Sequence, residues 1–162
     1  MPAYGDSLTG SAKKVQRALD QFGLDFLVQE LPGSTRTAND ASKAIGCSTG
    51  QIAKSLVFRF VRSGGPLLVI TSGSNRVDAA LLGELLGEAI EIAAPEFVRV
   101  STGFAIGGVP PTGHSAPIQT ILDQELKQYD EIWAAAGTPH AVFRLTPEAL
   151  RRITGGEWMR VC

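Results

Sequence analysis

Between Leu8 and Phe22 the apolar positions Val15, Ala18, Leu19 and Phe22 fall at i, i+3, i+4 and i+7. That spacing gives a helix one apolar stripe, and Gly23 stands where such a helix would end. The run Asp25-Phe26-Leu27-Val28-Gln29-Glu30-Leu31 reads as a strand closed by Pro32-Gly33. Thr37 opens a second helix as its cap, with Asp40 in the place of the usual capping-box glutamate and Gly46 at the stop. Residues 47–51 turn the chain. Residues 55–61 and 66–71 are two strands joined by Arg62-Ser63-Gly64-Gly65, a hairpin pattern.

Asn75 and Asp78 then cap a helix whose stripe is Val77, Leu81 and Leu85, stopped at Gly87. A short strand is expected over 89–93, and Pro95 marks the first position of a helix that ends by Gly103. Strands follow over 117–122, 131–136 and 141–145, with a helical turn over 123–127. Thr146-Pro147-Glu148 starts the last helix, Gly155-Gly156 ends it, and 158–161 is a final strand. Trp133 and Trp158 fall in strand patterns and read as core. Strands that cluster as hairpins, with helices at irregular intervals, predict an α+β domain: a compact, mixed, mainly antiparallel sheet flanked by helices.

Composition narrows this. A chain of 162 residues with 44% hydrophobic content is expected to form a single domain over residues 1–162. Fifteen Lys and Arg against 16 Asp and Glu leave a net charge of −1. A protein that grips DNA or long RNA through phosphates needs a cationic face, so only local contact with one end of an RNA is compatible. Cys47 and Cys162 have neither metal-ligand spacing nor a disulfide framework. No apolar run is long enough to span a membrane, and Met1-Pro2-Ala3-Tyr4-Gly5-Asp6 has no leader pattern, so a cytoplasmic location is expected. Dinucleotide and phosphate-loop fingerprints, paired zinc histidines and the Gly-x-Ser-x-Gly elbow are all missing from the sequence, and no metal or cofactor is expected.

The candidate chemistry centres on Lys54, which interrupts an apolar run in Gly50-Gln51-Ile52-Ala53-Lys54-Ser55-Leu56-Val57-Phe58. A lysine is seldom buried without a partner, so it needs water or a function. Gly107-Gly108-Val109-Pro110-Pro111-Thr112-Gly113-His114 is too rich in glycine and proline for helix or sheet, and Ala136-Gly137-Thr138-Pro139-His140 is a third loop. Glycines let a substrate approach the backbone and prolines hold the loop. A cation beside exposed amides suits an anionic or ester substrate, because amide donors stabilise the charge that develops on a carbonyl oxygen during hydrolysis. Arg36 is either a phosphate contact or the residue before a capped helix, and Thr37 either the cap or a ligand. His114 and His140 are either bases or solvated turn residues.

Together and in this order, Thr37-Ala38-Asn39-Asp40-Ala41, the Gly50 to Leu56 segment, Gly107 to Gly113 and Ala135-Ala136-Gly137 resemble the YbaK/EbsC family. That family comprises free-standing aminoacyl-tRNA deacylases and the editing domain inserted in bacterial prolyl-tRNA synthetases. The resemblance implies a pocket for the aminoacylated 3′ end of a tRNA, a synthetase served in trans, and hydrolysis of mischarged aminoacyl-tRNA. On this chain it implies catalytic roles for Lys54 and Gly108, with substrate bound by Arg36, Thr37, Gly107, Val109, Pro110, Pro111, Gly113, His114, Gly137 and Thr138. Lys54 would hold the terminal phosphate or polarise the ester. Cysteine-type members carry an aspartate about five residues after the last loop's glycine; this chain has Val142 there, which points to another small amino acid in the alanine, cysteine or serine class, with tRNA-Pro as a candidate acceptor. The alternative is a non-catalytic module of the same fold that binds a nucleotide or an RNA end.

Overall fold

The computed structural model describes residues 8–162; the N-terminal stretch read above for a leader lies outside them. Eight strands form one sheet in the order β1-β7-β6-β2-β3-β5-β8, with β4 also paired to β2. They are β1 (Gln29–Glu30), β2 (Ile52–Phe60), β3 (Pro66–Ser72), β4 (Ile90–Ile92), β5 (Gln119–Asp123), β6 (Ile132–Ala135), β7 (Ala141–Leu145) and β8 (Glu157–Met159). Four pairings are antiparallel and three parallel, so the sheet is mixed and mainly antiparallel. Among the described residues five α-helices flank it: α1 (Gly10–Asp20), α2 (Ala38–Ile45), α3 (Ala79–Leu86), α4 (Pro95–Thr102) and α5 (Pro147–Thr154).

The caps explain the helix boundaries. Thr37 accepts from Asp40 N–H, Asp78 from Leu81 N–H and Thr146 from Ala149 N–H, each satisfying a donor that the first turn leaves free. Pro95 and Pro147 sit in the first turn, where a missing N–H costs nothing.

The sheet's alternation sends Ala53, Val57, Leu68, Ile70, Leu122, Ala134 and Phe143 into the larger core, beneath α1, α4 and α5. The opposite face splits. Phe58, Leu67, Val69 and Ile121 pack against Leu82 of α3, while Ile52 packs against Ala38 and Ala41 of α2.

Three expectations are corrected. The strand expected over residues 25–31 is only Gln29–Glu30. The Gln16 side chain takes the bonds a neighbouring strand would have supplied, accepting from Val28 N–H and donating to Phe26 O, and Phe26 packs edge-on against Phe143. In α3 the buried positions are Leu82 and Gly83, whereas Leu85 is 53% exposed; the helix is apolar nearly all round, so its stripe could not be fixed from spacing. Asn75 caps nothing and instead donates to Asp123.

Candidate active site

Strand β2 is the element that builds the site. Along one edge it pairs with β3 from Ala53 to Arg59. Along the other edge it pairs with β6 only at Ile52 and Ala53, and with β4 only from Phe58 to Phe60. Two short strands thus share one edge and leave it open between them, at residues 54–56. Lys54 stands at that opening.

Register fixes its surroundings. Ile52 lies beside Trp133, and Ala135 opposite Val142, so the alternation that points Ile52 toward α2 points Lys54, Trp133, Ala135 and Val142 to the same side. These residues, with Arg36, Thr37, Ala38 and Ala41 from the start of α2 and Ile106, Gly107 and Val109 from the long loop, enclose a cavity of about 130 Å³. Among the described residues, no aspartate, glutamate, histidine or cysteine lines it. Lys54 is half-buried, and no carboxylate among the described residues comes within ion-pair distance of it. Two other polar atoms of the lining, Ser55 Oγ and Trp133 Nε1, are buried without a hydrogen-bond partner. Buried polar groups are nearly always paired, so two unpaired ones beside a half-buried lone cation mark a place built for something else.

The glycine loop is held against the site by close backbone approach. Gly107 has φ +94°, and a Cβ there would lie 2.9 Å from Arg36 Cγ, so only glycine lets the arginine lie across it. A Cβ on Gly108 would lie 2.8 Å from the backbone of Gly137 and Thr138. The contact is sealed by Gly137 N–H donating to Gly108 O at 2.8 Å, while Gly108 N–H donates to Ala105 O. Both backbone groups of Gly108 are therefore engaged. The N–H groups of Gly107 and Val109 have no partner among the described residues, and both residues line the cavity.

Of the residues singled out in the sequence, Lys54, Arg36, Thr37, Gly107 and Val109 come together at the cavity. Gly108, Gly137 and Thr138 form the joint behind it. Pro110 is buried, and Pro111, Gly113 and His114 line a separate depression beside Ile153 and Thr154. His114 Nε2–H donates to Pro110 O at 2.7 Å in the tautomer that suits a carbonyl. Burial pushes its pKa below the ordinary histidine value, the Pro110 carbonyl opposes this, and the charge on Lys14 adds to the lowering. His140 is exposed and its ring bonds Gly33 O; with Thr35 Oγ1 donating to Pro139 O, this ties the third loop to the segment before α2. Sequence reading placed Trp133 in the core and did not single out Ser55, Ile106 or Ala41. An unpaired indole N–H is invisible until the strand beside it is seen to stop.

Four likenesses to known proteins bear on this arrangement. Residues 33–153 match the model of the aminoacyl-tRNA editing domain. The chain is 30% identical over 153 residues to YwhH of Bacillus subtilis (strain 168), covering 94% of this chain and 97% of that one. It is 27% identical over 126 residues, 77% of this chain and 76% of the other, to the candidate Cys-tRNA(Pro)/Cys-tRNA(Cys) deacylase EbsC of Enterococcus faecalis. It superposes with a TM-score of 0.89 and 48% identity on the crystal structure of a candidate trans-editing enzyme for prolyl tRNA synthetase, covering 95% of this chain and 98% of that one. The matched span includes the open edge of β2, the lysine on it and both loops that meet beside it, and this chain belongs to the aminoacyl-tRNA editing domain family.

Proposed function

We propose that this protein hydrolyses the ester of mischarged aminoacyl-tRNA carrying a small amino acid, acting in trans to a synthetase. The observation that carries the reading is Lys54: a half-buried cation without a counter-ion among the described residues, in a cavity lined by two residues whose amides are unclaimed there. In the reaction a water oxygen attacks the ester carbonyl carbon, and negative charge develops on the carbonyl oxygen. Lys54 and the N–H groups of Gly107 and Val109 stabilise that oxyanion. The carbon–oxygen bond to the terminal ribose then breaks, the ribose oxygen takes up a proton, and the free amino acid leaves. Preorganised donors of this kind contribute about 3–4 kcal/mol each to such a barrier. The lining offers no carboxylate or imidazole as base. The water's proton is therefore relayed by the ribose hydroxyl beside the ester, which takes it up as it gives its own proton to the leaving ribose oxygen.

Size supports a small amino acid. A cavity of about 130 Å³ is well below the roughly 300–1,000 Å³ of sites for drug-sized ligands. Ala38, Ala41 and Val142 wall it without charge. Such a filter rejects bulk but separates residues differing by one methyl by only about 1–3 kcal/mol. Likeness to a candidate trans-editing enzyme for prolyl tRNA synthetase, and 31% identity over 97 residues to a proline–tRNA ligase of Nitratidesulfovibrio vulgaris, supports tRNA-Pro as acceptor.

The test is single-turnover release of amino acid from tRNA-Pro charged with alanine, serine, cysteine or proline, and from leucyl- and phenylalanyl-tRNA. Hydrolysis of the first three, with overlap among them, is expected. Preference for a large or charged residue overturns the size filter, and no release from any of them overturns the hydrolase.

A further inference from the structure

Two side-chain polar atoms among the described residues are buried without a partner, and one of them can only donate: the indole N–H of Trp133. The other, Ser55 Oγ, alternates with Ala53 and Val57 to the opposite face of the sheet. Trp133 lies beside Ile52 in the β2–β6 register, and its ring packs with Ile52, Ala38 and Ala41, whose side chains hold no acceptor. Phenylalanine would fill the same place and leave no donor stranded, so packing alone does not account for an indole there. The ring is also a wall of the Lys54 cavity, on the side closed by Ala38 and Ala41.

A second group of that cavity completes a pattern. Thr35 and Thr37 both line it. Thr37 Oγ1 already accepts from Asp40 N–H, as the cap of α2. Thr35 is 7% exposed and gives its hydroxyl proton to Pro139 O at 2.8 Å. With that proton committed, Thr35 Oγ1 faces the cavity as an acceptor, and no donor among the described residues fills it. The lining thus holds one side-chain group that only donates and another that is left only to accept. A hydroxyl accepts and donates at a single oxygen, so it answers both. A methyl answers neither, and a thiol answers both weakly.

We infer that Trp133 is a specificity residue of this pocket: its indole N–H donates to the side-chain hydroxyl of serine, whose own proton goes to Thr35 Oγ1, so that seryl-tRNA is preferred among the small aminoacyl-tRNAs. This rests on the deacylase reading and narrows it. Alanine fits the same volume but leaves the indole N–H unpaired. A pocket that hydrogen-bonds a substrate hydroxyl separates it from the analogue lacking that group better than a size filter does.

Two measurements test it. In the first, single-turnover hydrolysis of seryl- and alanyl-tRNA-Pro is compared in the wild type and in Trp133→Phe, which keeps an aromatic ring and removes the donor. The wild type is expected to favour serine by about tenfold. The variant is expected to lose that factor on serine and keep its rate on alanine, with Tm unchanged or raised. No wild-type preference for serine, or equal losses on the two substrates, would overturn the assignment and reduce Trp133 to packing.

The second needs no variant that folds and no hydrolysis. The chain has two tryptophans, so 15N-labelled protein gives two indole N–H signals, and Trp158, which lies under Lys127, serves as the internal reference. The protein is titrated with the stable amide analogues 3′-seryl- and 3′-alanyl-amino-3′-deoxyadenosine. The seryl compound is expected to move the Trp133 indole proton downfield and leave Trp158 in place, and the alanyl compound to move neither by as much. Equal response to the two analogues, or a Trp133 signal that does not move, would overturn the hydrogen bond. Failure to hydrolyse any aminoacyl-tRNA defeats the deacylase instead, and the titration still decides the indole.

Discussion

Lys54 and Asp123 are two charged residues only two strands apart, and their surroundings are opposite. Lys54 lies opposite Thr71 in the β2–β3 register, and Thr71 in turn donates to Asp123 at 3.0 Å. Asp123 is 1% exposed and accepts from Thr71 Oγ1, Ser72 N–H, Asn75 Nδ2 and Glu125 N–H. Both carboxylate oxygens are engaged, Oδ2 by three donors and Oδ1 by one. Lys54, with Ser55 and Trp133 beside it, has an unpaired charge or a buried atom without a partner. A satisfied buried charge pins loops together; an unsatisfied one is held ready for a ligand, at a cost to stability. Both are single charges in apolar strands, so sequence alone does not tell them apart.

Breaking the satisfied side has the largest expected effect. Asp123→Ala leaves four donors without their acceptor, at about 1–3 kcal/mol for each one that water cannot reach. A net loss of about 3–5 kcal/mol, and a Tm lower by about 10 °C, is expected in thermal unfolding. Activity of the fraction still folded is expected to be normal. Loss of activity at unchanged stability would move Asp123 into the site.

Lys54→Met is the converse. It removes a charge with no structural partner and keeps most of the apolar stem, so Tm is expected to hold or rise. Single-turnover deacylation is expected to drop about 10²–10³-fold, the effect of deleting one oxyanion donor. A rise in KM with kcat intact would place Lys54 on the terminal phosphate instead. A fall in Tm with activity intact would make it structural.

The same contrast explains what was legible in the chain. Caps, prolines and positive-φ glycines are local signals, so α1, α2, α4 and α5 and the β2–β3 hairpin appear in the sequence nearly where they lie. The glycine loops and Lys54 were legible as chemistry because lysine and Gly-Pro runs are out of place in an apolar strand and its flanks. Partners across the sheet were not legible. Nothing local shows that β6 and β4 share one edge of β2, and that sharing creates both the open edge at Ser55 and the lone Trp133 indole. Nor does anything local show that Gln16 replaces a strand beside residues 26–28, or that Gly108 backs onto Gly137.

Gly108→Ala tests that last contact. Its Cβ would meet backbone on the third loop at 2.8 Å, where no flexible side chain can give way. The two loops must separate, disturbing the bond from Gly137 to Gly108. A loss of about 1–3 kcal/mol in stability is expected, with a fall in kcat larger than that of any distant variant of equal Tm. Equal losses of activity in such a control would reduce Gly108 to a packing residue.

The smallest effect concerns His114, which belongs with Asp123 if the contrast is sound. Its ring is committed to Pro110 and it lies outside the Lys54 cavity. Burial, with Lys14 nearby, lowers its pKa in the folded state, against the weaker opposing pull of the Pro110 carbonyl. The sign follows from linkage: the unfolded chain takes up the proton first. Stability is therefore complete above the ordinary histidine value of 6.5 and declines as pH falls from there through the folded-state pKa. Wild-type Tm is expected to drop a few degrees between pH 7.5 and pH 5.5, and His114→Asn to lose most of that dependence. The pH profile of kcat, by contrast, is expected to be the same in both proteins, because the ring lies outside the Lys54 cavity. A limb of the wild-type rate profile that disappears in His114→Asn would bring this histidine into the chemistry and break the separation between satisfied and waiting groups.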